Sequence, residues 1–431
     1  VLPLVLATSL CALPAVADDV TAVPPPAIHP VETIYGEAVA AAGRQDWPAY
    51  LDAVERARAL APGQPALERR RAEALAQLGR ADEAMAILRA MTGWGVELPL
   101  GKNELLAPLR ERADWPALVA AASEALRPRG AMTPSFTVPQ GDLIPEGIAY
   151  DPVDDVFYLS SIARRKIVRV NRDGRGVDLI APDGHGFLAG LGLAVDAGRR
   201  RLWAVSTAQP DDGLFNEATN HTSAVHVFDL ATGGLLWRYF TAQADSFGLN
   251  DICVLPGGGA AASVSDRGLV LRFGPDGGAP VALTAPGSLP GANGLCVGPG
   301  GDCLYVSAYV LGVMKVDLRT GAVTAATVPG ADFTTSGVDG IYLVDGGLVA
   351  VQNYMGLDRV ARFTLRDDGM IDGCVPLVSR QEMFVDPTTG AIAPDGFHFI
   401  ADSYVSPFYA REDKGVMTGF GRSRVMRVGV E

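Results

Sequence analysis

Six stretches of this 431-residue chain open alike: PEGIAYD at 145, GLGLAVD at 190, LNDICVL at 249, ANGLCVG at 292, VDGIYLV at 338 and TTGAIAP at 388. One position in each is held in turn by Glu146, Leu191, Asn250, Asn293, Asp339 and Thr389. If these six side chains meet in one ring, two carboxylates and two amides converge, an arrangement that is costly when dry and unpaired. A divalent cation removes that cost, because the carboxylates balance its charge and the amide oxygens add neutral ligands. An all-oxygen set without sulfur or imidazole suits a hard ion, Ca²⁺ first and then Mg²⁺ or Mn²⁺. Asn and Asp beside glycine are also ordinary turn formers. Their recurrence at four of six equivalent places favours one shared metal site.

The elements that must deliver such a ring are strands. Each opening is followed by a turn and a second apolar run, for example DVFYLSS, RRLWAVS and DCLYVSA, with Gly-rich turn pairs between. The ring positions are 45, 59, 43, 46 and 50 residues apart, which leaves room for about four strands per unit. Six such units predict a mainly β fold, a six-bladed β-propeller over residues 134–431. The last unit, ending in SRVMRVGVE, is one strand short, and PSFTVPQ at 134–140 is placed to complete it.

Residues 31–128 read differently. DWPAYLDAVERA at 46 recurs as DWPALVAAASEA at 114, and LAQLGRADEAMAILRAM between them has a turn at Gly79. The offset of 68 is twice 34, the period of tetratricopeptide helix pairs. A small helical, tetratricopeptide-like domain is therefore expected, with a plain helical hairpin as the simpler alternative. Such repeats commonly bind a protein partner. The blades are expected to bury one another and not the helices, so that a chain starting near Gly130 stands alone.

The net charge of −13 disfavours nucleic acid and anionic lipid, which need clustered Lys and Arg. Residues 1–17 read as a signal peptide lacking its start, with Ala15-Val16-Ala17 as cleavage site, which predicts export to a periplasm or the exterior. The run is too short and Pro-broken for a membrane span. Cys296 and Cys303 lie across a predicted hairpin, as a disulfide or as two small buried side chains.

PEGIAYD, NDICV, ANGLCV and VDGIYLV, in that order and at blade spacing, resemble the regucalcin/gluconolactonase family of six-bladed propellers over residues 140–405. The resemblance implies a channel metal held by Glu146, Asn293 and Asp339. It also implies that Asn250 contacts substrate or water as a further ligand, and that Asp339 is the general base in lactone hydrolysis. Such an ion polarises the lactone carbonyl and activates water. The family's sugar-lactone members often carry Arg where this chain has Gly248, so a more apolar lactone or an ester becomes plausible. The paraoxonase-like relatives that use a His pair have only weak counterparts here. His185 on a loop into blade two could overlook the channel, His226 reads as a strand residue, and His221 and His398 have no evident partners. The insertion TAQPDDGLFNEATNHTS is a lid or a surface loop. The reading is an exported, metal-dependent hydrolase of lactones or esters. The alternative is a non-catalytic binding or sensor protein with a structural channel metal.

Overall fold

The computed structural model describes residues 25, 27–208, 222–241, 248–412 and 419–430. The signal-like segment 1–17, His221 and most of the blade-two insertion lie outside them. Blades one to four are four-stranded antiparallel sheets in sequence order. Blade one runs through Pro145–Asp151, Val156–Ser161, Lys166–Asn171 and Gly176–Ile180. Their second strands are buried almost throughout, as Val156–Ser161 and Cys303–Ala308 illustrate. That burial explains why these segments read as continuous apolar runs instead of alternating ones.

Blade six consists of Gly390–Ala393, Gly396–Ile400 and Arg424–Val428, with Thr133–Thr137 as its outermost strand. The ring is thus closed by the strand expected from the sequence. Apolar packing seals the same junction, with Ile148, Leu159 and Val168 of blade one clustered on Ala391, Ile400 and Val425 of blade six. Just upstream, Arg129–Gly130 adds a fifth strand to the edge of Ile371–Ser379 in blade five.

Before the propeller come α1 (Pro30–Gly43), α2 (Trp47–Leu60), α3 (Pro65–Gln77), α4 (Ala81–Gly93) and, after a short 3₁₀ turn, α5 (Trp115–Ala125). Asp46 caps α2 by accepting from the Ala49 N–H at 3.2 Å, and Pro48 sits in the first turn, where no N–H is required. Among the described residues no helix is long and apolar enough to cross a membrane.

The helices are not the free-standing arm expected above. Val31, Ala57 and Leu67 share one apolar cluster with Leu289, Ala308 and Leu311 of the propeller. Leu357 of blade five is inserted among Leu88, Trp94 and Leu118 of the helices. Hydrogen bonds cross the seam: the Glu97 main-chain N–H donates to Met355 O at 2.8 Å, and the Arg359 side chain donates through Nη1 to Trp94 O at 2.9 Å. Small residues such as Ala57 and Ala61 let the helices approach the blades closely.

Candidate metal centre

The innermost strands of blades one to five share one irregularity. Pairing with the second strand slips between Pro145 and Ile148, Gly190 and Leu193, Leu249 and Ile252, Ala292 and Leu295, and Val338 and Ile341. Each slip falls on the ring residue and the one after it. A β-bulge bends the strand and re-aims the extra side chain, so the repeated bulge turns five ring positions toward the channel end. The following residue is usually glycine because neighbouring innermost strands nearly touch there. A Cβ at Gly147 would overlap the Leu191 carbonyl, and one at Gly294 the Asp339 carbonyl. Blade three breaks this rule: its second bulge residue is Asp251, whose carboxylate lies where a Cβ on Gly192 would be.

Second-strand hydroxyls pin the bulges. Ser160 Oγ accepts from Gly147 N–H at 2.9 Å and donates to Leu191 O at 2.6 Å. Ser307 Oγ donates to Val338 O at 2.6 Å, and Thr207 Oγ1 to Leu249 O at 2.8 Å. The hydroxyl that recurs near the end of the second strand in blades one to four was the available sequence signal for this.

A cavity of 260 Å³ opens at the ring, lined among others by Glu146, Leu191, Asn250, Asp339 and Thr388. Asn293 is joined to it through a hydrogen bond to the Asp339 carboxylate. The expected sixth member is displaced by one residue. Thr389 lines a second cavity on the other side of the ring, and Thr388 takes its place. No register slip interrupts the pairing of Gly390–Ala393, so without a bulge the side-chain parity there shifts by one. Both threonine hydroxyls donate to the Glu146 carbonyl oxygen.

Sequence reasoning missed the partners that hold Asp339. Asn353 Nδ2 donates to Asp339 Oδ2 at 2.7 Å, and Tyr309 Oη donates to Asn353 Oδ1 at 2.8 Å. The Tyr309 ring meets Tyr354 edge-on, and Gln64 of the helical layer reaches the Tyr354 hydroxyl at 3.4 Å. The helical layer therefore buttresses the ring. Asp386, also at the cavity, adds a further carboxylate.

The donor set fits a hard cation. Glu146 and Asp339 are each 8% exposed, and Glu146 Oε2 and Asn250 Oδ1 are buried with no hydrogen-bond partner among the described residues. Burial, reinforced by Asp339 and Asp251, holds Glu146 well above the usual carboxylate range. Burial pushes Asp251 up to about 7. It pushes Asp339 up to about 6 despite hydrogen bonds from Asn353 and Asn293. These acids are short of positive charge. Among the described residues no group of three His, Cys, Asp or Glu gathers to hold a metal, at the ring or elsewhere; the ring's candidate donors are two carboxylates and two amides.

A pH dependence follows. Unfolded carboxyls titrate near pH 4, so between about pH 4 and 7 the three carboxyls of Glu146, Asp251 and Asp339 bind more protons in the metal-free fold than in the unfolded chain. The stability they contribute is greatest below that window and is lost as the pH rises through the folded pKa values, an effect opposed in the lower part of the window by His226, which burial holds at about 4. A bound cation favours the charged forms and reverses the trend. Thermal melting of stripped protein should therefore decline from about pH 5 to 7.5, with Ca²⁺ restoring more at the higher pH. Equal Ca²⁺ shifts at both values would speak against these carboxylates as ligands.

The histidines lie elsewhere. His226 is a fully buried strand residue with Nε2 3.3 Å from His185 O, and neither lines the ring cavity. His398, expected to lack partners, has Nδ1 2.8 Å from Ser135 Oγ and Nε2 3.0 Å from Asp395, which Arg172 and Arg427 hold in turn. This group ties the closing strand to blade six. Cys253, Cys296, Cys303 and Cys374 are all unbridged.

Fold and ring together define a six-bladed propeller with an oxygen-lined cavity at one end of its axis. No family profile matches the sequence, and no curated relative aligns with it. Similar solved structures include the PQQ-bound aldose sugar dehydrogenase of Streptomyces coelicolor (18% identity, 70% of this chain and 98% of that one, TM-score 0.47). They also include a gluconolactonase of Xanthomonas campestris (18%, 70% and 99%, TM-score 0.43) and the calcium-binding protein regucalcin of Agrobacterium tumefaciens (18%, 70% and 96%, TM-score 0.44). Likeness at this level is one of architecture.

Proposed function

We propose that the chain is an exported, metal-dependent hydrolase of lactones or related esters. Glu146, Asn250, Asn293 and Asp339 would hold one divalent cation, Ca²⁺ ahead of Mg²⁺ or Mn²⁺. The observation that carries this reading is the pair of buried, partnerless oxygens, Glu146 Oε2 and Asn250 Oδ1, facing one cavity with Asp339. When bound, the ion supplies the charge that polarises a carbonyl and makes water more acidic.

The chain's own residues do the rest. Asp339, oriented by Asn353 and Asn293, is the base that takes a proton from the attacking water. Asn250 positions the water or the substrate carbonyl. Leu191, Ile162 and Val405 give the cavity an apolar wall, and no cationic side chain stands at Gly248, which suits a small substrate with an apolar portion.

Metal analysis of gently purified protein, followed by a lactone and ester screen with and without Ca²⁺ or Mn²⁺, tests the proposal. Asn250→Ala should lower kcat/KM about ten- to a thousand-fold, the roughly 1.4 to 4 kcal/mol of one well-placed polar contact in a catalytic site. Leu191→Val, which alters the same wall without removing a ligand atom, should lose far less. Equal losses would indicate general damage to the channel. Absence of turnover by the wild type with any divalent metal would overturn the enzymatic reading.

A further inference from the structure

At the seam between the helices and blade five lies a second cavity, of 290 Å³, bordered by Thr92, Gly95, Ala121, Glu124 and Leu357 and by three arginines, Arg129, Arg359 and Arg380. Arg359 is 4% exposed. Its Nε donates to Gln352 Oε1 at 2.7 Å and its Nη1 to Trp94 O at 2.9 Å, whereas Nη2 is buried without a partner. Arg380 donates to Gly95 O at 3.2 Å, and Arg129 to Glu124 O at 3.4 Å.

Carbonyl oxygens supply only partial charge, and the nearby acids act on other arginines than Arg359. Glu124 pairs with Arg127 at 3.0 Å, while Asp358 and Glu97 act on Arg380. Among the described residues Arg359 has no carboxylate partner. Burial lowers the pKa of its guanidinium, with Arg380 adding to the effect, yet a guanidinium stays charged in proteins. An unpaired buried cation is expensive.

We propose that this seam cavity binds a small oxyanion, a carboxylate or phosphate group held by the free Nη2 of Arg359 and by Arg380, with Arg129 at the rim. A guanidinium fork matches the paired oxygens of either group. The cavity is walled by α5, by the turn after α4 and by the outer strands of blade five, so the bound anion clasps the helices to the propeller.

Calorimetry and thermal melting on the full chain test the site, using inorganic phosphate and succinate against chloride at matched ionic strength. Saturable binding of phosphate or succinate, with melting that rises with ligand concentration, is expected. At least about tenfold weaker binding is expected in Arg359→Gln and in Arg380→Gln, since each removes a charge-assisted contact. Binding of phosphate alone or succinate alone identifies which group the site takes. Should Arg359→Gln fail to fold, Arg380→Gln and Arg129→Gln decide the matter. No saturable binding by the wild type, or undiminished binding in the folded variants, overturns the proposal. Either result leaves the ring-cavity reading unaffected.

Discussion

Asp339→Asn should lower the affinity for Ca²⁺ and Mn²⁺ by at least about 100-fold and remove turnover of any lactone or ester that the wild type hydrolyses. Even an outer partner of a metal ligand is typically worth about 10- to 100-fold, and Asp339 is proposed as both an anionic ligand and the base. Glu146→Gln should weaken the metal comparably while leaving a base in place, so its residual turnover at saturating metal should exceed that of Asp339→Asn. Both variants remove a buried carboxylate that burial holds above its usual range. Metal-free, they should therefore melt no lower than the wild type near pH 7. Unchanged calorimetric binding of both ions in both variants would eliminate the site.

Removal of the helices, in a chain beginning at Gly130, should give a protein that aggregates or melts far below the intact one. The cut exposes Leu289, Ala308, Leu311 and Leu357, now covered by helical residues. At roughly 1.5 to 3 kcal/mol for each large apolar side chain uncovered, the loss rivals the whole stability of a typical domain, about 5 to 15 kcal/mol. It also strips Arg359 of its Trp94 carbonyl. A soluble truncated chain with unchanged melting would show that the helices contribute nothing to the propeller core.

The propeller was legible because one constraint repeats six times. Every innermost strand must approach its neighbours at the axis, and that demand leaves a glycine after the ring residue in most blades. The equivalent placement of Glu146, Asn250, Asn293 and Asp339 was legible from aligning those openings, since the bulges keep them in phase. Thr389 was misplaced by one residue because blade six lacks the bulge, and sequence spacing cannot reveal a missing bulge. Tyr309 and Asn353 directly follow the second strands of blades four and five, a position whose residue type changes from blade to blade, and Asp386 lies in a connection, so no shared residue type placed them beside Asp339. The covering of the blades by the helices was hidden for a related reason. Alanine faces suited to another helix are equally suited to a sheet edge, and periodicity alone does not distinguish the two.

The closing strand has a consequence for the order of events during synthesis. Thr133 and Arg427, paired across blade six, are 294 residues apart. Until Arg424–Val428 leaves the ribosome, blade six has no third strand and blade one no sealed neighbour. Bringing such distant ends together carries an entropic penalty of about 5 kcal/mol from its length-dependent part alone. The early blades must therefore wait with a raw edge, a state that a holdase can protect from misassembly. A chain that stopped before Arg424 would leave the ring permanently open, however well the first five blades are made.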